Sequence, residues 1–162
     1  MKNYLQLQKT VLLYSHEKEI TKMERKQVTT VAGIIENKNG EILCTLRDQG
    51  KYDYVSFKWE FPGGKMEQGE TKHQTLSREL QEELEIEVEI GDFFYQVEHD
   101  YPDFHLSMAV YECKLLSDHM KMNVHKALKW VKPEDLMQLD WADADRPVAE
   151  KLFKTKVSEQ ER

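Results

Sequence analysis

Only two cysteines, four prolines and seven glycines occur among the 162 residues of this chain. Cys44 and Cys113 lie in apolar, strand-like runs and match no metal-ligand spacing, so they read as buried free thiols of a reducing cytoplasm. The scarcity of proline and glycine, with no internal repeat or low-complexity tract, excludes a linker-rich or disordered chain. No apolar run approaches the roughly 18 residues of a membrane span, and no secretory signal pattern is found, so no membrane is expected as a partner. Basic residues are also in deficit: 23 Lys and Arg face 30 Asp and Glu, a net charge of −7. A binder of duplex nucleic acid needs a basic face, so that class is disfavoured. An enzyme acting on nucleotides is still allowed, provided metal ions screen the phosphates.

What is present is a globular composition, 40% hydrophobic and 33% charged. The length suits one domain that buries roughly two-thirds of its unfolded surface. Residues 1–25 mix apolar and charged positions without a clean period and are expected to form a short appended strand or helix. The domain proper is expected over 26–156, with 157–162 as a frayed tail. Gln27–Glu36 is β-branched and apolar, Asn37–Gly40 carries a hairpin signal, and Glu41–Arg47 returns as a second strand. The polar, Tyr-containing loop 48–58 is suited to cover a site. Trp59–Phe61 forms a short strand leading into a tight turn, Pro62-Gly63-Gly64. Further on, 85–98 and 104–114 alternate as antiparallel strands about a turn at 99–103, and 127–131 is one more strand. Pro133-Glu134-Asp135 opens a short helix, and Arg146–Lys156 closes the chain with another. This order predicts an α/β fold, a mixed sheet with helices on its faces.

The stretch that organises the rest is Gly64–Ile86, GKMEQGETKHQTLSRELQEELEI. Thr71-Lys72-His73-Gln74 has the form of a capping box, which starts a helix there. At about 100° per residue, Glu79, Glu82 and Glu83 share an arc roughly 100° wide. Leu76, Leu80 and Leu84 form an apolar stripe on the adjoining arc. The helix therefore docks by its leucines and carries a row of acids along the rim. Acids at that spacing repel by a few tenths of a kcal/mol per pair. A hard divalent cation, which prefers oxygen ligands, would offset that repulsion; a solvated acidic helix is the alternative. Gly63 and Gly64 let the backbone approach such a ligand.

The pattern Gly64, five residues, Glu70, seven residues, Arg78-Glu79-Leu80-x-Glu82-Glu83, then two residues and Ile86, resembles the Nudix box. Glu85 stands where that family usually has Gly, which predicts either a helix exit strained by about 1 kcal/mol or a slightly longer helix. The resemblance extends from about Val28 to Leu152 through KWEFPGGKMEQGET, HDYPDFHLSM, HKALKWVKPEDL and ADRPVAEKL, which look like the MutT-type branch. It implies an α/β/α sandwich with a mixed sheet. It also implies a nucleoside triphosphate substrate, split to monophosphate and pyrophosphate. The implied cofactor is Mg2+, or Mn2+ in its place, on Glu79, Glu82 and Glu83, with the Gly63 carbonyl as a further ligand. Arg78 would orient Glu79.

By the same resemblance, Arg47 reaches the nucleotide, against a plain strand-end arginine. Phe61 is a base-pocket ring, against a core residue. Asp145 reads the base edge, against an N-cap of the last helix. An ionised Asp145 only accepts and suits an amino group such as that of cytosine, whereas a protonated one also donates and suits guanine. Two positions depart from the branch: Val124 replaces an acid, with His125 beside it, and Phe104 replaces an arginine, so stacking takes over there. His125 reads more readily as structural than as a substitute for the acid. Two other functions stay open, a Nudix hydrolase of nucleoside diphosphate conjugates and a non-catalytic nucleotide-binding module. The sequence carries no sign of the oligomeric state.

Overall fold

The computed structural model describes residues 2–162, and the side chains of all of these except 2 and 20–24. The chain opens with helix α1 (Lys2–Glu24), so the appended segment is helical. Among its described side chains the large apolar ones, Tyr4, Leu5, Leu7 and Val11–Tyr14, are 61% to 70% exposed, and the domain does not rest on them. Seven strands follow: β1 (Lys26–Glu36), β2 (Ile42–Leu46), β3 (Trp59–Glu60), β4 (Gly63–Lys65), β5 (Val88–Asp100), β6 (Phe104–Leu115) and β7 (Ala127–Val131). Helix α2 (Lys72–Leu84) lies between β4 and β5, and helix α3 (Arg146–Gln160) ends the chain.

One mixed sheet contains every strand, in the order β3-β2-β1-β6-β5, with β4 added to β1 and β7 to β2. Its centre is the parallel pair β1–β6, in register from Lys26↔Phe104 to Glu36↔Lys114. Val31–Ile35 is buried at five consecutive positions because helices cover both faces of the sheet. Strand alternation divides those side chains between two cores. Val31 and Ile35 meet Leu76, Leu80 and Leu84 of α2 on one face. Ala32 and Ile34 meet Val148, Ala149 and Leu152 of α3 on the other. The expected sandwich is therefore present. Cys44 and Cys113 are both buried free thiols, and burial pushes each up to about 12.

Three expectations need correction. Pro62-Gly63-Gly64 is not a tight turn: Gly63–Lys65 is extended and pairs with β1 at Ala32, Val31 and Thr30. Close packing explains the glycines, because a Cβ on Gly63 would overlap the Val31 carbonyl oxygen and lie 2.7 Å from the Ala32 Cα. His99 and Asp100 belong to β5, where they pair with Leu106 and His105, so the turn shrinks to 101–103. The tail at 157–162 is largely helical, since α3 continues to Gln160. The short helix expected from Pro133 is present, as the 3-10 helix Pro133–Gln138.

Candidate active site

The capping box forms as the sequence predicts. The Thr71 hydroxyl accepts from the Gln74 N–H at 3.2 Å, and the Gln74 side chain accepts from the Thr71 N–H at 2.9 Å. At the other end Glu85 adopts the left-handed conformation, φ 51°, so the strained exit is the one realised. Such a residue costs about 1 kcal/mol relative to Gly. Asn123 supplies compensation. Its amide donates to the Glu82 carbonyl at 3.1 Å and to the Glu85 carboxylate at 3.0 Å, and its N–H donates to the Glu83 carbonyl at 2.9 Å.

Docking by the leucines fixes the rotation of α2 and splits its acids between two settings. On one side Arg78 collects them. It donates to Glu70 at 2.5 and 3.1 Å, to Glu79 at 2.9 Å, to Glu82 at 3.2 Å and to the Lys65 carbonyl at 3.0 Å. The Arg78 hydrogen bonds hold the Glu70 carboxyl down at about 2. The Glu82 side chain is 59% exposed and points away from the interior. On the other side Glu83 turns inward toward His125, whose Nε2 lies 3.5 Å from it and 3.7 Å from Glu60. Burial pushes Glu83 up to about 7; His125 opposes this, and the Glu79 and Glu60 carboxylates reinforce it. The Nδ1 of His125 is buried and has no hydrogen-bond partner.

These groups open onto one cavity of about 600 Å³, bounded by β1, β3, β4, α2 and the loops around 48–52 and 142–145. Gly63, Glu79, Glu83, Arg47, Phe61, Phe104 and Asp145 all line it, whereas Arg78 and Glu82 do not. Gly64 lies so near that a Cβ there would run into the Glu79 carboxylate, 2.6 Å from Oε1. At the far end Asp145 is 5% exposed. It occupies the N-cap position of α3 but makes no capping hydrogen bond. Its Oδ1 accepts from the Phe61 N–H at 2.9 Å instead. Burial pushes this carboxyl well above the usual range, and the Glu60 carboxylate adds to the effect. Phe61 stacks on Trp141 with ring centres 4.6 Å apart. Phe104 lies against Tyr101 and Tyr52 at 5.0 and 5.7 Å. Arg47 stands at the mouth, half exposed, 3.7 Å from Glu60.

Glu60, Tyr52 and Tyr101 escaped the sequence reading although all three line the cavity. Glu60 was detectable as a lone acid in the otherwise apolar Trp-Glu-Phe strand. Tyr101 falls in the turn between β5 and β6, yet it is buried, and its hydroxyl accepts from the Ala144 N–H at 3.0 Å. The 48–58 loop does fold over the site, Tyr54 stacking between Tyr52 and Tyr101 and donating to Asp103 at 2.8 Å.

Among the described residues, no three Asp, Glu, His or Cys side chains are gathered closely enough to hold a metal ion as they stand. Arg78 draws Glu79 and Glu82 to itself while Glu83 faces His125 and Glu60. The donor chemistry nevertheless fits a hard cation. These are carboxylate oxygens, and the burial that pushes Glu83 up, reinforced by the Glu79 and Glu60 carboxylates, is what a nearby positive charge offsets.

The chain is similar to known proteins in sequence and in fold. The family model described as NUDIX domain matches residues 31–151. The 8-oxo-dGTP diphosphatase of Escherichia coli K12 is 33% identical over 127 residues, 78% of this chain and 97% of that protein. The CTP pyrophosphohydrolase of the same strain is 34% identical over 137 residues, 77% of this chain and 90% of its own length. The crystal structure of a MutT protein from Methanosarcina mazei Go1 superposes with a TM-score of 0.72, covering 82% of this chain and 97% of that one, at 24% identity.

Proposed function

This chain belongs to the Nudix family of hydrolases, and we propose that it is a divalent-metal-dependent nucleoside triphosphate pyrophosphohydrolase that releases a nucleoside monophosphate and pyrophosphate. The observation that carries the reading is the single cavity with Glu79 and Glu83 at one end and the buried Asp145 between aromatic walls at the other. Glu79 and Glu83, joined by Glu82 and the Gly63 carbonyl, would hold Mg2+ or Mn2+. When bound, such an ion neutralises phosphate charge and polarises the attacking water. Arg78, outside the cavity, fixes the Glu79 carboxylate. Arg47 meets the phosphates or sugar at the mouth, and Phe61 and Phe104 flank the base. Residues 26–156 form the catalytic unit, with 1–25 as an extension.

Burial of Asp145 favours its neutral form, and a neutral carboxyl donates a hydrogen bond. That favours the 6-carbonyl edge of guanine and 8-oxoguanine over the 4-amino edge of cytosine, and the relative named 8-oxo-dGTP diphosphatase makes 8-oxo-dGTP the leading substrate. A cytidine triphosphate is the second reading, favoured by the relative named CTP pyrophosphohydrolase. The test is a Mg2+-dependent hydrolysis screen over oxidised and normal triphosphates with products identified. Monophosphate and pyrophosphate, released fastest from 8-oxo-dGTP, are expected. Release of diphosphate and orthophosphate, or turnover of nucleoside diphosphate conjugates alone, would overturn the proposal.

A further inference from the structure

His125 faces two carboxylates that belong to different elements and would otherwise face each other. Its Nε2 is 3.5 Å from Glu83 on α2 and 3.7 Å from Glu60 on β3, while its side chain is only 6% exposed. Nδ1 is buried without a partner, so no hydrogen bond fixes the ring from behind. The ring is held by its packing, at the start of the segment that enters β7, where the Lys126 N–H donates to the Leu46 carbonyl at 2.9 Å. Glu60 is also 3.7 Å from Arg47. Every one of these side chains lines the same cavity.

We infer that His125 is a positioning residue: it stands between Glu60 and Glu83 and keeps the Glu83 carboxylate turned into the cavity, where it is available to a divalent cation. The inference rests on the metal-dependent reading of the site. Without an imidazole there, two inward carboxylates confront each other with nothing between them, and each relaxes by rotating away. Glu83 then leaves the position from which it serves the ion. The roles differ accordingly. Glu83 touches the metal, and His125 acts only through Glu83. Of the three acids on α2, His125 acts on the one that Arg78 does not hold.

The test is Mn2+ binding to the free protein, measured by calorimetry and by the loss of the free-ion electron paramagnetic signal, with folding checked by circular dichroism melts. His125→Phe keeps the volume but offers no N–H, and His125→Met serves in its place should the phenylalanine variant not fold. Either is expected to weaken Mn2+ binding by about 10- to 100-fold, the range found when a group that orients a metal ligand is lost. His125→Gln places an amide N–H near the Nε2 position and is expected to restore affinity to within a few-fold of the wild type. In a Glu60→Gln background the opposing carboxylate is gone, so removing His125 is expected to weaken binding by only a few-fold. Unchanged affinity in the apolar variants, or a glutamine variant as impaired as they are, would overturn the inference and leave the metal-dependent reading standing. A wild-type protein that binds no Mn2+ would overturn both.

Discussion

The two ends of the cavity use the same functional group in opposite ways. At the α2 end the carboxylates are gathered and held: Arg78, just outside the cavity, bonds Glu70 ahead of the helix and Glu79 and Glu82 on it within 3.2 Å, and the Glu70 carboxyl is kept ionised far into acid. At Asp145 a single carboxyl is buried with one N–H donor and a like charge nearby, which favours its neutral form. Environment therefore separates an anionic end, suited to cations and phosphate chemistry, from a donor end, suited to a base edge. Glu83 lies between these limits, pushed up to about 7 by burial, with Glu60 connecting it electrostatically to Asp145.

The largest effect is expected where the anionic end enters the cavity. Glu83→Gln removes charge but little volume, so the fold should survive while Mg2+-dependent turnover falls by about 1,000-fold, roughly 4 kcal/mol of barrier. Near-normal turnover in a folded variant would erase the contrast between the two ends. Arg78→Ala should weaken metal affinity and lower turnover by about 10- to 100-fold. A change confined to the Michaelis constant would make Arg78 a substrate ligand instead. Gly64→Ala pushes a methyl group into the Glu79 carboxylate. The carboxylate is the free end of a flexible side chain, so it should swing off Arg78 and lower turnover by about 10-fold while the melting temperature stays close to that of the wild type. Unchanged turnover would show that the Glu79 carboxylate is not needed where Arg78 holds it.

The smallest expected effect concerns pH. Glu70 ionises at about 2 in the folded chain against 4.5 for an ordinary glutamate, so its contribution is fully present above pH 4.5. It is lost as pH falls from there through about 2, when the proton displaces Arg78. Glu70→Gln should flatten that part of the stability profile. A variant that keeps the wild-type slope would place the acid sensitivity elsewhere.

Much of the anionic end was legible because its determinants are local. Leucines four apart set the buried face of α2, the Thr71–Gln74 box sets its start, and the acids follow by helical arithmetic. Glu85 could be seen as an anomaly, but its compensation by Asn123 could not, because that contact spans 38 residues. The donor end is non-local. Phe61 and Asp145 meet across 84 residues, and no periodicity announces such a pairing. His125 read as structural because its two acidic neighbours come from separate elements. Strand β4 went unseen for another reason: Gly-Gly-Lys has no intrinsic strand preference and is extended only because β1 pairs with it.

The division between the two ends is tested most directly by the ratio of kcat/KM for 8-oxo-dGTP to that for CTP, followed against pH in the wild type and in Asp145→Asn. Taking the ratio cancels the pH dependence of the shared metal and phosphate chemistry. A raised carboxyl is protonated below its pKa and donates there, then becomes an acceptor only as pH rises. The wild-type ratio should therefore fall as pH rises, by several-fold or more, since a hydrogen bond to a buried polar edge contributes about 1 to 3 kcal/mol. Asparagine donates at every pH, so the Asp145→Asn ratio should stay flat. Parallel profiles for the two proteins would contradict the account and show that the base is read without Asp145.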